Sequence, residues 1–156
     1  MERRIRGRLN DQQPREQAGF QKTFSTTDHL QTVNQVIKKS NEYQINTHSL
    51  LIDFTKAFDT INQKYLLKSM TKQGVPKRTT DIIMDMYKNL KARILKDREG
   101  SHLSIRRGVR QGDPMSSILF NSLLGEIFRN LEWEEKGINI SGQFLSNLCF
   151  ADDIIL

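Results

Sequence analysis

Two adjacent acidic residues, Asp152 and Asp153, interrupt an apolar stretch at the end of the sequence. An isolated pair of this kind is most often a solvated turn. A tight turn, however, breaks the up-and-down alternation of a strand, so both carboxylates can serve one metal site. A third acid, Asp53, ends another short apolar run. A carboxylate in that position costs free energy unless a cation neutralises it.

These three aspartates suit magnesium, which prefers hard oxygen ligands and is held by a few carboxylates together with substrate phosphates. Two such ions about 4 Å apart activate an attacking hydroxyl and stabilise the leaving oxygen in phosphoryl transfer. Asp53, Asp152 and Asp153 are therefore candidate catalytic residues and candidate ligands of two Mg²⁺ ions, with Mn²⁺ as the alternative metal. Nucleotide polymerisation is one reaction of this type.

The spacing of apolar and turn-forming residues predicts the elements that must position these acids. In chain order they are a helix over 26–40 behind a capping box at 25–28, a buried strand over 48–54, and two helices through 66–70 and 82–90, the first ended by Gly74. A hairpin or a loop between two strands follows over 92–105, around 97–100, then a helix from Asp113-Pro114, and over 138–156 three strands separated by a Ser-Gly turn and a tight Asp-Asp turn. This order predicts an α+β fold in which helices back a mostly antiparallel sheet. Residues 1–24 are polar and basic, and we expect little independent order there.

Composition narrows the function classes. The 156 residues correspond to one domain, and the formal charge of +6 favours a polyanionic partner only modestly. The one cysteine, Cys149, excludes an intrachain disulfide and a four-cysteine metal site. The sequence contains neither a signal peptide nor an apolar run of the roughly 18 residues that a membrane span needs. We therefore expect an intracellular protein without a membrane partner.

Four sequence blocks carry a resemblance to a known family. LIDFTKAFD, from Leu51 to Asp59, resembles the first catalytic motif of reverse transcriptases from non-LTR (LINE-type) retrotransposons. The other blocks follow in the family's order: QAGF from Gln17 with STTDH from Ser25 resembles the fingers block, RRGVRQGDP from Arg106 resembles the nucleotide and template-strand motif, and FADD from Phe150 resembles the metal-binding box. The likeness covers nearly the whole chain from about residue 15. An RTE-type clade is a further expectation.

The resemblance implies a reverse-transcriptase-like fold, with partial fingers over 1–47 and mainly palm over 48–156, and it implies roles for single residues. The three aspartates would be the metal ligands, with Asp53 and Asp152 the principal pair and Asp153 more supportive. The implied nucleotide-binding residues are Phe54, Phe58, Gln111 and Gly112. The implied nucleic-acid-binding residues are Arg106, Arg107 and Arg110, although a basic cluster alone is more often a solvated surface.

Two implied roles concern the residues after Asp53. Phe58 resembles the aromatic residue that packs under the incoming sugar, where a bulky ring collides with a 2′-hydroxyl and favours deoxynucleotides. Its alternative role is core packing. Asp59 is interpreted as structural, positioning the turn or helix that follows Asp53.

The function implied by the resemblance is RNA-directed DNA polymerisation, a nucleotidyl transfer whose partners are an RNA template, a DNA primer and deoxynucleoside triphosphates. Since the family continues with the rest of the palm and a thumb, we expect a truncated chain that is weakly active or inactive alone. A non-catalytic nucleic-acid-binding remnant is the alternative. A metal-dependent nuclease is a third, but it leaves the Gln111-Gly112 loop and Phe58 unexplained. An active parent element would act in the nucleus, and the cytoplasm is the other expected location.

Overall fold

The structure, a computed structural model, describes residues 1–21, 24–88, 90–93, 102–133 and 136–156, with the backbone alone at Arg93 and His102. Its helices are α1 (Glu2–Asp11), α2 (Thr26–Glu42), α3 (Ala57–Thr60), α4 (Gln63–Lys72), α5 (Lys77–Lys88) and α6 (Pro114–Arg129). Its strands are β1 (Leu51–Ile52), β2 (Lys91–Arg93), β3 (His102–Ser104), β4 (Ile138–Ile140), β5 (Gln143–Leu145), β6 (Leu148–Phe150) and β7 (Asp153–Ile155). The predicted α+β class is confirmed.

Every named strand pair is antiparallel. β7 lies in the centre of a three-stranded sheet with the order β1-β7-β6, while β2 pairs with β3 and β4 pairs with β5 in separate hairpins. The hairpin predicted over 92–105 is confirmed in its strands, and its turn at 97–100 lies outside the described residues. Over 138–156 the structure has four strands where three are predicted, because the segment between the two predicted turns forms two strands, β5 and β6, that belong to separate sheets.

Helix α6 occupies the centre of the core. Asp113 caps it by accepting a hydrogen bond from the Met115 backbone N–H at 2.9 Å, and Pro114 is its first residue, as predicted. Leu119 is fully buried on α6, and α4 packs across the helix beside it. At that crossing the Ser69 hydroxyl donates to the Ser122 carbonyl at 2.8 Å, so the small side chains let the two backbones approach closely.

The expectation of little order in residues 1–24 is wrong for the described part of that segment. α1 lies against α6 and buries Ile5 and Leu9 completely. These two residues are four apart and share one face of the helix, which places them together against α6. In the sequence, the many arginines around Ile5 and Leu9 make the segment look uniformly polar, so this short apolar face was not recognised. The division at residue 47 into fingers and palm stays a prediction.

The helix predicted over 26–40 is present as α2, but it buries none of its side chains. Asp28 completes the predicted capping box by accepting from the Ser25 backbone N–H at 2.7 Å. The buried strand predicted over 48–54 is wrong in length and burial. β1 is an edge strand of two residues, and Leu51 is 75% exposed because its side chain lies on a face that is not covered by other residues. Within the described residues, no helix is long and apolar enough to cross a bilayer.

Candidate active site

The three-stranded sheet brings two of the predicted aspartates to the same end. Ile52 of β1 pairs with Ile154 of β7, and this register, continued by one residue, sets Asp53 opposite Asp153. Directly opposite residues in an antiparallel pair project to the same face, with their Cβ atoms typically about 5 Å apart. Both aspartates are exposed, so this face is open to solvent and ligands.

The third aspartate lies in the loop that joins β6 to β7. Phe150 pairs with Asp153, so the two-residue loop consists of Ala151 and Asp152. The tight turn predicted at Asp152-Asp153 is therefore one residue earlier than expected, because Asp153 already belongs to β7. We refer to Phe150–Asp153 as the aspartate turn. Asp152 is half-buried, whereas Asp153 is exposed.

The donor chemistry of these residues suits a hard cation, since all three supply carboxylate oxygens. Their side chains are not gathered around a point, however. Across the described part of the chain, no group of three or more His, Cys, Asp or Glu side chains is arranged to hold a metal ion. The backbone thus brings the predicted ligands to one sheet end, and ligation would require rotation of their side chains.

A loop over 105–112 is attached directly to the short helix that follows Asp53. The Val109 N–H donates to the Phe58 carbonyl at 2.9 Å, and the Gly108 N–H donates to the Ile61 carbonyl at 2.8 Å. Gly108 has a φ of +88°, and a Cβ atom there would lie 2.8 Å from the Asp59 carbonyl oxygen. Only glycine permits both this conformation and this approach.

The predicted nucleotide-binding residues Gln111 and Gly112 lie at the end of this loop, and both are exposed. Gln111 donates from Nε2 to Oδ1 of Asp59 at 3.0 Å. Asp59 thus contacts a loop distant in sequence, and its predicted role in positioning the turn or helix after Asp53 stays a prediction. Gly112 has a φ of +83° and open space where a Cβ atom would be.

Two aromatic residues follow Asp53, and they differ in their surroundings. Phe54 is 42% exposed. Phe58 is half-buried against the core, its ring stacked on Phe120 at a centroid distance of 4.8 Å. The exposed Phe20 meets Phe58 edge-on at 6.2 Å. Phe58 therefore packs against the core while lying five residues after Asp53, and its proposed contact with a sugar stays a prediction.

The three predicted nucleic-acid-binding arginines, Arg106, Arg107 and Arg110, are all exposed on the 105–112 loop. Among the described residues, none of the ion pairs involves them. Exposed guanidinium groups of this kind are suited to binding phosphates.

Sequence reasoning missed one buried polar residue beside the aspartates. Gln17 is 3% exposed and hydrogen-bonds to the backbone of Ala151, the residue before Asp152. The segment around it also pairs with β6, where the Cys149 N–H donates to the Glu16 carbonyl at 2.8 Å. Gln17 belongs to the QAGF block, and a glutamine in an otherwise small and apolar motif was the available signal.

Fold and site together define a domain with carboxylates at one end of a small antiparallel sheet and an arginine-bearing loop attached to the short helix that follows Asp53. The family model "Reverse transcriptase (RNA-dependent DNA polymerase)" matches residues 1–156, and the chain therefore belongs to this family. Members of the family generally use divalent metal ions and act with nucleic-acid templates and nucleotide substrates.

Curated relatives narrow the family to non-LTR elements. The chain is 28% identical over 141 residues, 90% of its length, to the Pol polyprotein of the type-1 retrotransposable element R2 of Nasonia vitripennis. It is 36% identical over 110 residues, 67% of its length, to that of a type-1 R2 element of Popillia japonica. It is 30% identical over 141 residues, again 90% of its length, to that of the type-2 element R2DM of Drosophila melanogaster.

The alignments span 14%, 18% and 13% of these three polyproteins respectively. The predicted non-LTR family is confirmed. These relatives carry the R2 name, and the RTE-type likeness stays a prediction.

Proposed function

We propose that this chain forms the catalytic part of an RNA-directed DNA polymerase of R2-type elements. The observation that carries the proposal is the register of β1 against β7, which sets Asp53 opposite Asp153 beside the loop that holds Asp152. A reverse transcriptase needs carboxylates that converge from separate parts of the chain, and this sheet end provides them from two motifs about 100 residues apart.

In this proposal Asp53 and Asp152 would hold two Mg²⁺ ions, with Asp153 in a supporting position and Mn²⁺ as a substitute metal. The ions would neutralise charge on the nucleotide phosphates and lower the pKa of the primer 3′-hydroxyl. Two of the three carboxylates, those of Asp53 and Asp153, are already exposed to solvent, and the side chains would rotate to reach the ions.

The residues around the aspartates would position the substrates. Gln111 and Gly112 would line the nucleotide and template side of the site, where the open space at Gly112 lets a ligand approach the backbone. Phe54 would contact the nucleotide, and Phe58, supported from behind by Phe120, would present its ring edge to the sugar. A ring held by stacking resists displacement, which suits discrimination against a 2′-hydroxyl.

The exposed arginines at 106, 107 and 110 would bind phosphates of the RNA template or DNA primer. Copying at a chromosomal nick would place the parent element's reaction in the nucleus. Low activity of this chain alone remains part of the proposal, since the relatives contain much more sequence than the matched segment.

The alternative function, a nucleic-acid-binding remnant, rests on the same arginines without the metals. This alternative differs from the polymerase in that it does not need the aspartates. A remnant binds nucleic acid in a salt-dependent manner, yet it is indifferent to the loss of Asp53.

Primer extension separates the two. Residues 1–156 would replace the matched segment of the Drosophila R2DM polyprotein, and a DNA primer on an RNA template would be extended with Mg²⁺ and deoxynucleotides. We expect extension that Asp152→Asn lowers by about a hundredfold or more. The control is Asp85→Asn, an exposed acid on α5, which should leave the rate unchanged. A folded, RNA-binding chimera that extends no primer would instead support the remnant.

A further inference from the structure

The side chain of Gln17 hydrogen-bonds to both backbone groups of Ala151, its N–H and its carbonyl. Its Oε1 accepts from the Ala151 N–H at 2.9 Å, and its Nε2 donates to the Ala151 carbonyl at 3.2 Å. Oε1 also accepts from the Gly19 N–H at 2.9 Å. Three hydrogen bonds thus satisfy a side chain that is 3% exposed, and two of them reach across 134 positions of sequence.

Ala151 has a conformation that needs such support. Its φ is +57°, in the left-handed region, which alanine rarely adopts because its Cβ atom crowds the following carbonyl. It is the first of the two loop residues of the aspartate turn, and Asp152 is the second. The conformation of Ala151 therefore fixes the direction in which the Asp152 side chain leaves the backbone.

The rest of the QAGF block fits around the same contact. A Cβ atom on Gly19 would lie 2.1 Å from the Ala151 nitrogen, so only glycine allows this approach. The Ala18 N–H donates to the Cys149 carbonyl at 2.8 Å, which aligns the block along β6. Asn121 of α6 donates from Nδ2 to the Gly19 carbonyl at 2.7 Å and ties the block to the core. Gln17 is thus held in place from two directions.

We propose that Gln17 is a positioning residue for the metal-binding aspartates: by fixing Ala151 in the left-handed conformation, it sets the orientation in which Asp152 reaches a divalent ion. This inference rests on the proposed function. Residues that orient metal ligands without touching the metal typically contribute about 10- to 100-fold to metal affinity.

The test is Mn²⁺ affinity of the purified chain, measured by the loss of the free-ion paramagnetic resonance signal. Gln17→Met keeps the length of the side chain and removes its hydrogen bonds. We expect it to weaken Mn²⁺ binding about tenfold. The matched control is Gln73→Met, since Gln73 is also buried and donates to Ser69 Oγ at 2.9 Å and the Ser122 carbonyl at 2.8 Å, between α4 and α6. A purely structural role predicts equal effects on affinity from both substitutions, and that result would overturn the proposal.

The Asp152→Asn variant distinguishes a failure of the positioning role from a failure of the proposed metal site. If Asp152→Asn abolishes Mn²⁺ binding while Gln17→Met leaves it intact, the positioning role is wrong and the proposed metal site stands. If Asp152→Asn leaves binding intact, the metal site itself is wrong, and the positioning role fails with it.

Should Gln17→Met not fold, Gln17→Glu provides the second test. At a pH high enough to ionise this buried carboxyl group, the side chain keeps both acceptor contacts but cannot donate to the Ala151 carbonyl. Added negative charge alone would strengthen cation binding. A fall in Mn²⁺ affinity therefore supports the positioning role, and an unchanged or higher affinity overturns it.

Discussion

The three aspartates differ in how firmly the fold holds their backbones. Asp153 begins β7, which is paired with a strand on each side. Asp152 lies in the two-residue loop with Ala151, and Gln17 hydrogen-bonds to the backbone of Ala151. Asp53 follows a two-residue edge strand. The aspartate turn is therefore the more rigid half of the site, and we expect Asp53 to make the larger adjustment when a metal binds.

Cys149, next to the aspartate turn, provides a residue-scale prediction. It is 3% exposed, and burial raises the pKa of its thiol from 9.0 to about 12. In the unfolded chain the thiol ionises near pH 9, while in the folded chain it stays protonated. The stabilisation from the buried thiol is thus fully present below pH 9 and is lost as the pH rises towards 12.

The measurement is the difference in unfolding free energy between the wild type and Cys149→Ala, from denaturant titrations across that range. We expect the advantage of the wild type to shrink with rising pH. Subtracting the variant removes the contribution of other groups, such as Tyr87, whose pKa is also raised by burial. A difference that stays constant with pH would contradict the buried position of Cys149.

At the residue scale, the sequence predicts what depends on local chemistry. Acids at the ends of apolar runs can be recognised in the sequence, because the free-energy cost of placing a carboxylate in a sheet is a property of the residue itself. The glutamine of the QAGF block is visible in the sequence, but the contact that Gln17 makes could not be predicted in the same way. Its partner Ala151 lies 134 positions away, and only the folded chain brings the two together.

At the scale of elements, the connection between α3 and the 105–112 loop is the critical contact. Gly108 lies against the Asp59 backbone, with its N–H bonded to the Ile61 carbonyl. This contact keeps Gln111 within hydrogen-bonding distance of Asp59. Hydrogen bonds thus attach the loop that holds Gln111 to the helix that comes after Asp53.

Gly108→Ala tests that connection. Gly74 has a similar φ of +74° but open space around it, so Gly74→Ala carries only the left-handed cost of roughly 1 to 2 kcal/mol. Gly108→Ala adds a clash with the Asp59 backbone, so we expect a clearly larger loss of unfolding free energy in urea titrations. Equal losses from the two substitutions would show that the loop does not lie against α3.

The ends of helices were predicted correctly where capping or helix-ending residues mark them. The burial of helix faces was not predicted, because it depends on tertiary packing. Asp113-Pro114 begins α6, and Gly74 follows α4, as predicted. The apolar stripe of α2 predicts burial, yet Leu30 is 62% exposed, because periodicity gives a face but not its partner. α1 shows the converse, since two apolar residues suffice to bury it against α6.

At the scale of the whole molecule, the charge of +6 becomes informative through its distribution. Three exposed arginines at 106, 107 and 110 lie on the loop that is attached to α3. In the proposed function, a polyanion bound by them would extend to the carboxylates, where metal ions would offset the repulsion between like charges.

Replacing these arginines together by glutamine should weaken binding to an RNA–DNA duplex and flatten its salt dependence. Each lost phosphate contact lowers the slope of log K against log salt by roughly 0.9 in duplex DNA. The control replaces three exposed lysines on α4 and α5, Lys64, Lys68 and Lys88, with the same loss of charge. If both triple variants lower the slope equally, net charge rather than the arginine loop governs binding.

The central claim is that Asp53 and Asp152 bind a divalent ion together. Calorimetric titration of the purified chain with Mn²⁺ tests it most directly, because it requires neither template nor primer. We expect binding that Asp53→Asn and Asp152→Asn each weaken by more than about tenfold, equivalent to about 1.4 kcal/mol, while Asp85→Asn has no effect. Binding that survives both substitutions unchanged would contradict the assignment of the site.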